Sequence, residues 1–181
     1  MLNNADIRFP TIRDEEGNEV PAGEVGEIYS RGPMLFDEYY KLPEKTAESF
    51  KGGWFSAGDM ARQDEDGFYY LVDRKKNMII TGGENVYPSE VEEVVGNIAG
   101  VFDCAVVGLP DEKWGERVAA VVIRKPGFDD SNLNEQNVIQ TCKGKMAGYK
   151  CPKQVLFIGE DDMPRTGTGK ILHRILREQF G

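Results

Sequence analysis

"DRKKNMIITGGENVYPSEVEEVV", residues 73–95, holds a charge run, a short apolar strand, a double glycine and the start of a helix within 23 residues. Val91, Val94, Val95 and Ile98 recur at i, i+3, i+4 and i+7, which marks one face of a helix. Ser89 and Glu92 have the S-x-x-E spacing of a capping box, which predicts that the helix starts at Ser89. Beyond it, "CAVVGLP" (104–110) and "RVAAVVIRK" (117–125) are apolar runs of strand length. A polar helix over about 134–147, a strand at "QVLFI" (154–158) and a closing helix from about Lys170 complete the chain.

Before the charge run the texture differs. "DIRFPTIRDEEGNEVPAGEVGEIYSRG" (6–32) carries two alternating runs around turn-forming residues and predicts a hairpin. "LPEKTAESF" (42–50) places Pro43 at a helix start and ends in a Lys-Gly-Gly breaker. "GWFSAGDMARQDEDGFYYLVD" (53–73) supplies two strands joined by "DEDG". Strands and helices mix without strict βαβ alternation, so the fold class is α+β. The run Asp73–Lys76 is the expected domain boundary, although spacing alone also suits a solvated turn between strands.

Composition narrows the function. With 22 Lys plus Arg against 31 Asp plus Glu, the net charge of −9 argues against a general nucleic-acid or membrane-surface binder. Three cysteines, Cys104, Cys142 and Cys151, form no C-x-x-C pair and read as buried reduced thiols, which suits a cytoplasmic protein. No run of about 18 apolar residues is present, and residues 1–10 lack the plan of a signal peptide. His173 is the single histidine, which rules out multi-histidine metal sites, and its basic surroundings predict a surface side chain.

"MPRTGTGKILHRIL" (163–176) has the look of a phosphate loop and fails its requirements. Counting back from Gly169, Pro164 stands where a Walker loop needs its first glycine, and Ile171 where it needs a magnesium-binding hydroxyl. Leu172 stands where a dinucleotide loop needs its third glycine. What remains is a flexible glycine-threonine turn that presents one lysine, Lys170, as a helix begins. On spacing alone such a lysine is an exposed surface cation.

Four stretches in order, "GWFSAGDMA" (53–61), "GFYYLVDRKKNMIITGGENVYPSEVEEVV" (67–95), "YKCPKQVLFI" (149–158) and "MPRTGTGKILHRILRE" (163–178), resemble the carboxy-terminal third of the adenylate-forming, AMP-binding enzymes. Within that superfamily "DRKKNMIITGGENVYPSEVE" looks most like the fatty-acyl, aryl and coumaroyl CoA ligases. The resemblance implies that residues 1–75 close a large amino-terminal AMP-binding domain, and that residues 76–181 form a small mobile lid. It also implies a two-step reaction. A carboxylate first attacks the α-phosphate of ATP, giving an acyl-adenylate and pyrophosphate; the thiol of coenzyme A then displaces AMP. ATP with Mg2+, coenzyme A and a carboxylic acid are the implied ligands of the full-length enzyme, with no metal ligand expected in this stretch.

Residue by residue, Lys170 matches the lysine that the lid delivers to the adenylation site. Asp59 in "SAGD" matches the acceptor of the ribose hydroxyls; the family usually has Thr at the position of Ala57, so one hydroxyl is missing there. Arg74 matches a nucleotide-contacting arginine, and Lys76 the hinge, where relatives carry Asp or Lys. Gly83 matches the glycine lining the coenzyme A pantetheine tunnel, while a simple turn remains a sufficient reason for a glycine there. Lys143, Lys145, Lys150 and Lys153 form a patch suited either to coenzyme A phosphates or to a solvated helix face.

The superfamily's Ser/Thr/Gly-rich phosphate loop and its acid-selecting pocket have no counterpart here. The expectation is therefore the carboxy-terminal portion of a longer ligase, inactive alone, whose partner is its own amino-terminal domain. A free-standing lid-like module that binds a nucleotide or protein partner, and a fragment of a peptide-synthetase adenylation domain, stay open as alternatives.

Overall fold

The computed structural model describes residues 8–128 and 133–181, which fall into two compact units divided between Lys76 and Asn77. The α+β class read from the sequence holds, with four helices among the described residues and all strands gathered into two sheets.

The amino-terminal unit is an antiparallel sheet. Its elements are β1 (Arg8–Arg13), β2 (Val25–Arg31), α1 (Pro43–Ser49), β3 (Phe50–Lys51), β4 (Trp54–Phe55), β5 (Asp59–Gln63) and β6 (Tyr69–Arg74). The expected hairpin is β1 against β2, with Arg13 opposite Glu27; the part of that run before Arg8 lies outside the described residues. β2 also pairs with β5 and, at its far end, with β4. Gly26 is where strands crowd, since a Cβ there would sit 2.5 Å from the Arg13 carbonyl oxygen. Pro43 opens α1 as expected, because its fixed φ suits the first helical position. The "DEDG" turn is closed by Asp64, whose Oδ1 accepts from the Phe68 amide at 2.8 Å.

The carboxy-terminal unit comprises β7 (Ile79–Thr81), β8 (Glu84–Val86), α2 (Pro88–Gly96), β9 (Val101–Asp111), β10 (Gly115–Arg124), α3 (Glu135–Lys143), β11 (Gln154–Ile158) and α4 (His173–Phe180). β10 pairs antiparallel with β9, parallel with β11, and at Gly115 with β7. The two long strands read as unbroken apolar runs because both of their faces are covered. Cys104, Val106, Val118, Ala120 and Val122 share a core with Val91 and Val95 of α2 and Val138 and Cys142 of α3. The alternate set, Ala105, Val107, Leu109, Ala119, Val121 and Ile123, packs with Met163 and with Leu176 of α4. A strand's period of two thus sorts one sequence run into two cores.

Three local expectations are corrected. The helix α2 is capped by Tyr87 rather than Ser89 and lacks a side-chain cap bond. Pro88, preset for the first helical position, starts the helix ahead of the S-x-x-E spacing and releases Glu92 for other work. The double glycine leads not straight into that helix but into β8, so Gly82 and Gly83 form a hairpin turn between Thr81 and Glu84. Finally, α4 begins at His173, because residues before it extend the turn, with Arg165 bridged to Ile171.

Candidate functional site

The sequence-predicted residues fall into separate groups, each within one unit. In the amino-terminal unit, Asp59 and Arg74 are register partners across β5 and β6. Asp59 Oδ1 lies 2.8 Å from Arg74 Nε, and Arg74 Nη1 donates to the Ala57 carbonyl at 3.2 Å. Two residues separated by a hairpin thus become one ion pair that remains partly exposed, Arg74 at 46% and Asp59 at 28%. A carboxylate holding an arginine through one oxygen keeps lone pairs for hydroxyl donors, and the guanidinium keeps N–H groups for phosphate or carbonyl oxygens.

A residue that the sequence reading missed stands behind this pair. Glu27, on β2, receives Ser56 Oγ at 2.6 Å, Tyr29 OH at 2.9 Å and Lys75 Nζ at 2.9 Å. Ser56, buried in the "SAGD" turn, also accepts from the Gly58 amide at 3.0 Å, and the Lys75 amide donates to the Gly58 carbonyl at 2.8 Å. One carboxylate therefore ties together the turn before Asp59 and the residue after Arg74. The hydroxyl absent at Ala57 has a neighbour in Ser56, which is committed to this internal network. The available signal was a glutamate within an otherwise alternating strand, "GEIYS", too common a pattern to single out.

Electrostatics follow from the geometry. Burial alone would raise the Glu27 carboxyl, but the hydrogen bonds from Ser56, Lys75 and Tyr29 outweigh it and hold Glu27 below the ordinary glutamate range. Burial, then Glu27 itself, pushes the Tyr29 phenol up to about 12. A depressed folded-state pKa adds stability above the unfolded-state value and loses it as pH falls through the folded-state value. Native protein should therefore be more stable than Glu27→Gln at neutral pH, with the gap closing at acid pH. Unfolding titrations followed through Trp54, which lies under the Arg13 guanidinium at 4.2 Å, measure this. A gap unchanged between neutral and acid pH would dismiss the network as a stabiliser.

Lys76 is exposed within a single 3-10 turn, Lys75–Asn77, at the junction of the two units.

In the carboxy-terminal unit, Gly83 sits at φ +86° in the β7–β8 turn beside Gly82 at φ +60°. A Cβ on Gly83 would meet nothing within 4 Å, so among the described residues its requirement is conformational. Close packing falls on Gly82, where a Cβ would lie 2.7 Å from Trp114. The Gly82 amide donates to the Trp114 carbonyl at 2.9 Å, and the Ile80 amide to Glu116 Oε2 at 2.7 Å, so the glycine turn is pinned to the β9–β10 turn. Trp114, 48% exposed with Lys113 Nζ 4.6 Å from its ring centroid, forms a flat apolar wall there. Its only sequence signal was an aromatic in a charged turn.

Lys170 is exposed, and its ammonium has no hydrogen bond or ion pair among the described residues. The turn carrying it is not the flexible segment expected. Thr166 N–H donates to the Lys170 carbonyl at 2.8 Å, while Thr166 Oγ1 accepts from the Lys170 amide at 3.1 Å and contacts Thr168 Oγ1 at 2.9 Å. Gly169, at φ +84°, closes the turn. Thus the threonines brace the backbone while the lysine side chain projects into solvent.

The lysine patch is smaller than the sequence suggested. Lys150 Nζ holds both carboxylate oxygens of Glu90, at 2.7 and 2.8 Å, and Lys153 donates to the Gly148 carbonyl at 3.1 Å, so Lys143, Lys145 and Lys153 remain as its exposed cations. His173 is corrected as well: it is largely buried and bonded to Glu92 at 2.8 Å, not a surface side chain. All three cysteines are buried and free, and burial pushes Cys104 up to about 12 and Cys142 to about 11, which leaves them without nucleophilic thiolate. Among the described residues no group of three or more His, Cys, Asp or Glu is gathered as a cluster of metal ligands.

Residues 90–170 match the family described as AMP-binding enzyme C-terminal domain, and the chain belongs to the superfamily of adenylate-forming enzymes. It is 44% identical over 169 residues to the long-chain-fatty-acid–CoA ligase FadD13 of Mycobacterium tuberculosis, covering 93% of this chain and 32% of that protein. It is 46% identical over 165 residues to the feruloyl-CoA synthase of Amycolatopsis sp., covering 91% of this chain and 33% of that one. Among solved structures, ATP-bound MatB from Rhodopseudomonas palustris matches with a TM-score of 0.86 at 38% identity, over 95% of this chain and 34% of that one. The chain spans about a third of the length of the curated relatives it matches.

Proposed function

We propose that this chain is the carboxy-terminal portion of an acyl-CoA synthetase that activates a fatty or aryl acid with ATP and passes the acyl group to coenzyme A. The observation that carries this reading is Lys170: a solvent-facing ammonium with no hydrogen bond or ion pair among the described residues, on a turn closed by hydrogen bonds between Thr166 and Lys170. Negative charge grows on the α-phosphate during adenylation, and a preorganised cation delivered into a water-poor site stabilises it. Asp59 accepts from the ribose hydroxyls and Arg74 contacts the nucleotide, with Glu27 holding their turns in place. Gly83 borders the pantetheine path, and Trp114 supplies an apolar wall beside it. Residues 1–75 are read as the end of the large AMP-binding domain and 76–181 as the lid, with Lys76 as the hinge.

The kinship to a fatty-acid and a feruloyl CoA ligase supports the acid class. Exposed apolar side chains on the amino-terminal unit, Met34 at 92%, Tyr40 at 81% and Leu71 at 72%, favour a part of a larger protein over a free-standing module. The 181 residues alone are then inactive, and formation of AMP from any carboxylate, ATP and coenzyme A by this chain alone would refute that.

The hinge assignment has its own test in the full-length protein, where adenylation and thioester formation from a synthetic acyl-adenylate are assayed separately. A proline fixes φ, whereas a hinge must let it change. Lys76→Pro should therefore depress thioester formation about tenfold more than adenylation. An unchanged ratio between the two steps would place the hinge elsewhere.

A further inference from the structure

The braced turn of Lys170 ends at a helix that has no cap of its own. Leu172, at the cap position of α4, makes no side-chain cap bond, and the helix opens on His173 and Arg174, where the helix dipole favours an anion. A carboxylate reaches this end from α2. Glu92 Oε1 lies 2.8 Å from His173 Nε2, and the same oxygen accepts the Val106 amide of β9 at 2.8 Å. An ionised carboxylate only accepts, so Nε2 carries the proton and donates. The Glu92 carbonyl also accepts from the Cys104 thiol at 3.6 Å, which ties the same turn of α2 to β9. On the other side of Lys170, Arg165 pairs with Asp103 of β9 and donates from Nη1 to the Gly169 carbonyl at 3.1 Å. Residues 165 and 173 thus bracket Lys170, the first moored on β9 through Asp103 and the second on α2 through Glu92.

We propose that His173 is a positioning residue for Lys170: its hydrogen bond to Glu92 sets the direction in which the lysine turn projects. This rests on reading Lys170 as the adenylation lysine. Leu176, one turn further along α4, is fully buried and sets how deeply the helix docks. Apolar packing is not directional, and the rotation and slide of the helix start are left to the His173–Glu92 bond. A displacement of about 1 Å in a group that must meet a transition state costs up to about a hundredfold in rate.

The test uses the full-length protein, with adenylation and thioester formation measured separately for Lys170→Ala, His173→Phe, His173→Gln and the double variant Lys170→Ala/His173→Phe. His173→Phe, which keeps the bulk and removes the donor, should slow adenylation about tenfold and spare thioester formation. His173→Gln, which can still donate, should recover most of that loss. In the Lys170→Ala background His173→Phe should have no further effect, because its influence passes through the lysine. If Lys170→Ala leaves adenylation intact, the reading of Lys170 falls and the proposal falls with it. If Lys170→Ala is severe but His173→Phe changes adenylation by less than about twofold, adds in full to it, or slows both steps together, the proposal alone is overturned. Should His173→Phe fail to fold, Glu92→Gln decides: it still accepts the Val106 amide while weakening the bond to His173, and must slow adenylation selectively.

Discussion

Lys170→Ala should lower adenylation about a hundredfold to a thousandfold in the full-length protein, a loss of about 3 kcal/mol or more in transition-state stabilisation. Thioester formation from a synthetic acyl-adenylate should stay within a few-fold, because the lysine serves only the step in which the α-phosphate gains charge. The structure separates this effect from damage to the fold. The ammonium makes no hydrogen bond or ion pair among the described residues, and the turn is braced by backbone and threonine groups that the substitution leaves untouched. Its removal should move stability by no more than about 0.5 kcal/mol. Lys170→Arg should recover only part of the rate, because a planar fork presents its donors differently from a compact ammonium. Single-turnover pyrophosphate release measures the first step and AMP release from the acyl-adenylate the second. An equal fall in both would remove the lysine-delivery reading.

Leu176→Ala should act in the opposite manner, through stability. Leu176 is fully buried and is the only buried residue of α4, packed with Val107, Leu109, Val121 and Met163 on one side of the β9–β10 sheet. Truncating a leucine at such a site costs about 2–5 kcal/mol, from lost apolar burial and the cavity left behind. The 181-residue chain carries two tryptophans, Trp54 in the amino-terminal unit and Trp114 in the carboxy-terminal unit, so each unit has its own fluorescence reporter. In the Trp54→Phe background, denaturant unfolding followed through Trp114 should show the midpoint falling by an amount matching that cost. A change below about 1 kcal/mol would mean that α4 does not dock on this face as described.

Much of this was legible in the residues themselves. The apolar spacing over 91–98, the proline at 43 and the "DEDG" turn each encode a local geometry that the structure reproduces, because backbone periods and preset φ values act within a few residues. Failures arose where two local signals competed. Ser89 and Glu92 spell a capping box, yet Pro88 starts the helix earlier and frees Glu92 for the Val106 amide and His173. His173 sits in a basic stretch, which reads as surface, and only its partner 81 residues away explains its burial.

By its own patterning, then, the sequence determined the α+β class and the two apolar strands read at 104–110 and 117–125, while its resemblance to the adenylate-forming enzymes marked Asp59, Arg74, Lys76, Gly83 and Lys170 as candidate site residues. Tertiary structure alone decided which face of each strand meets which helix. It also decided that Glu27 joins Ser56 to Lys75, that Trp114 covers Gly82, and that Glu92 reaches His173. The physical reason is range. Helix and strand periods are written into consecutive residues. A hydrogen bond between distant segments depends on the register in which whole elements dock, and docking is driven by apolar burial that carries no label for its polar partners.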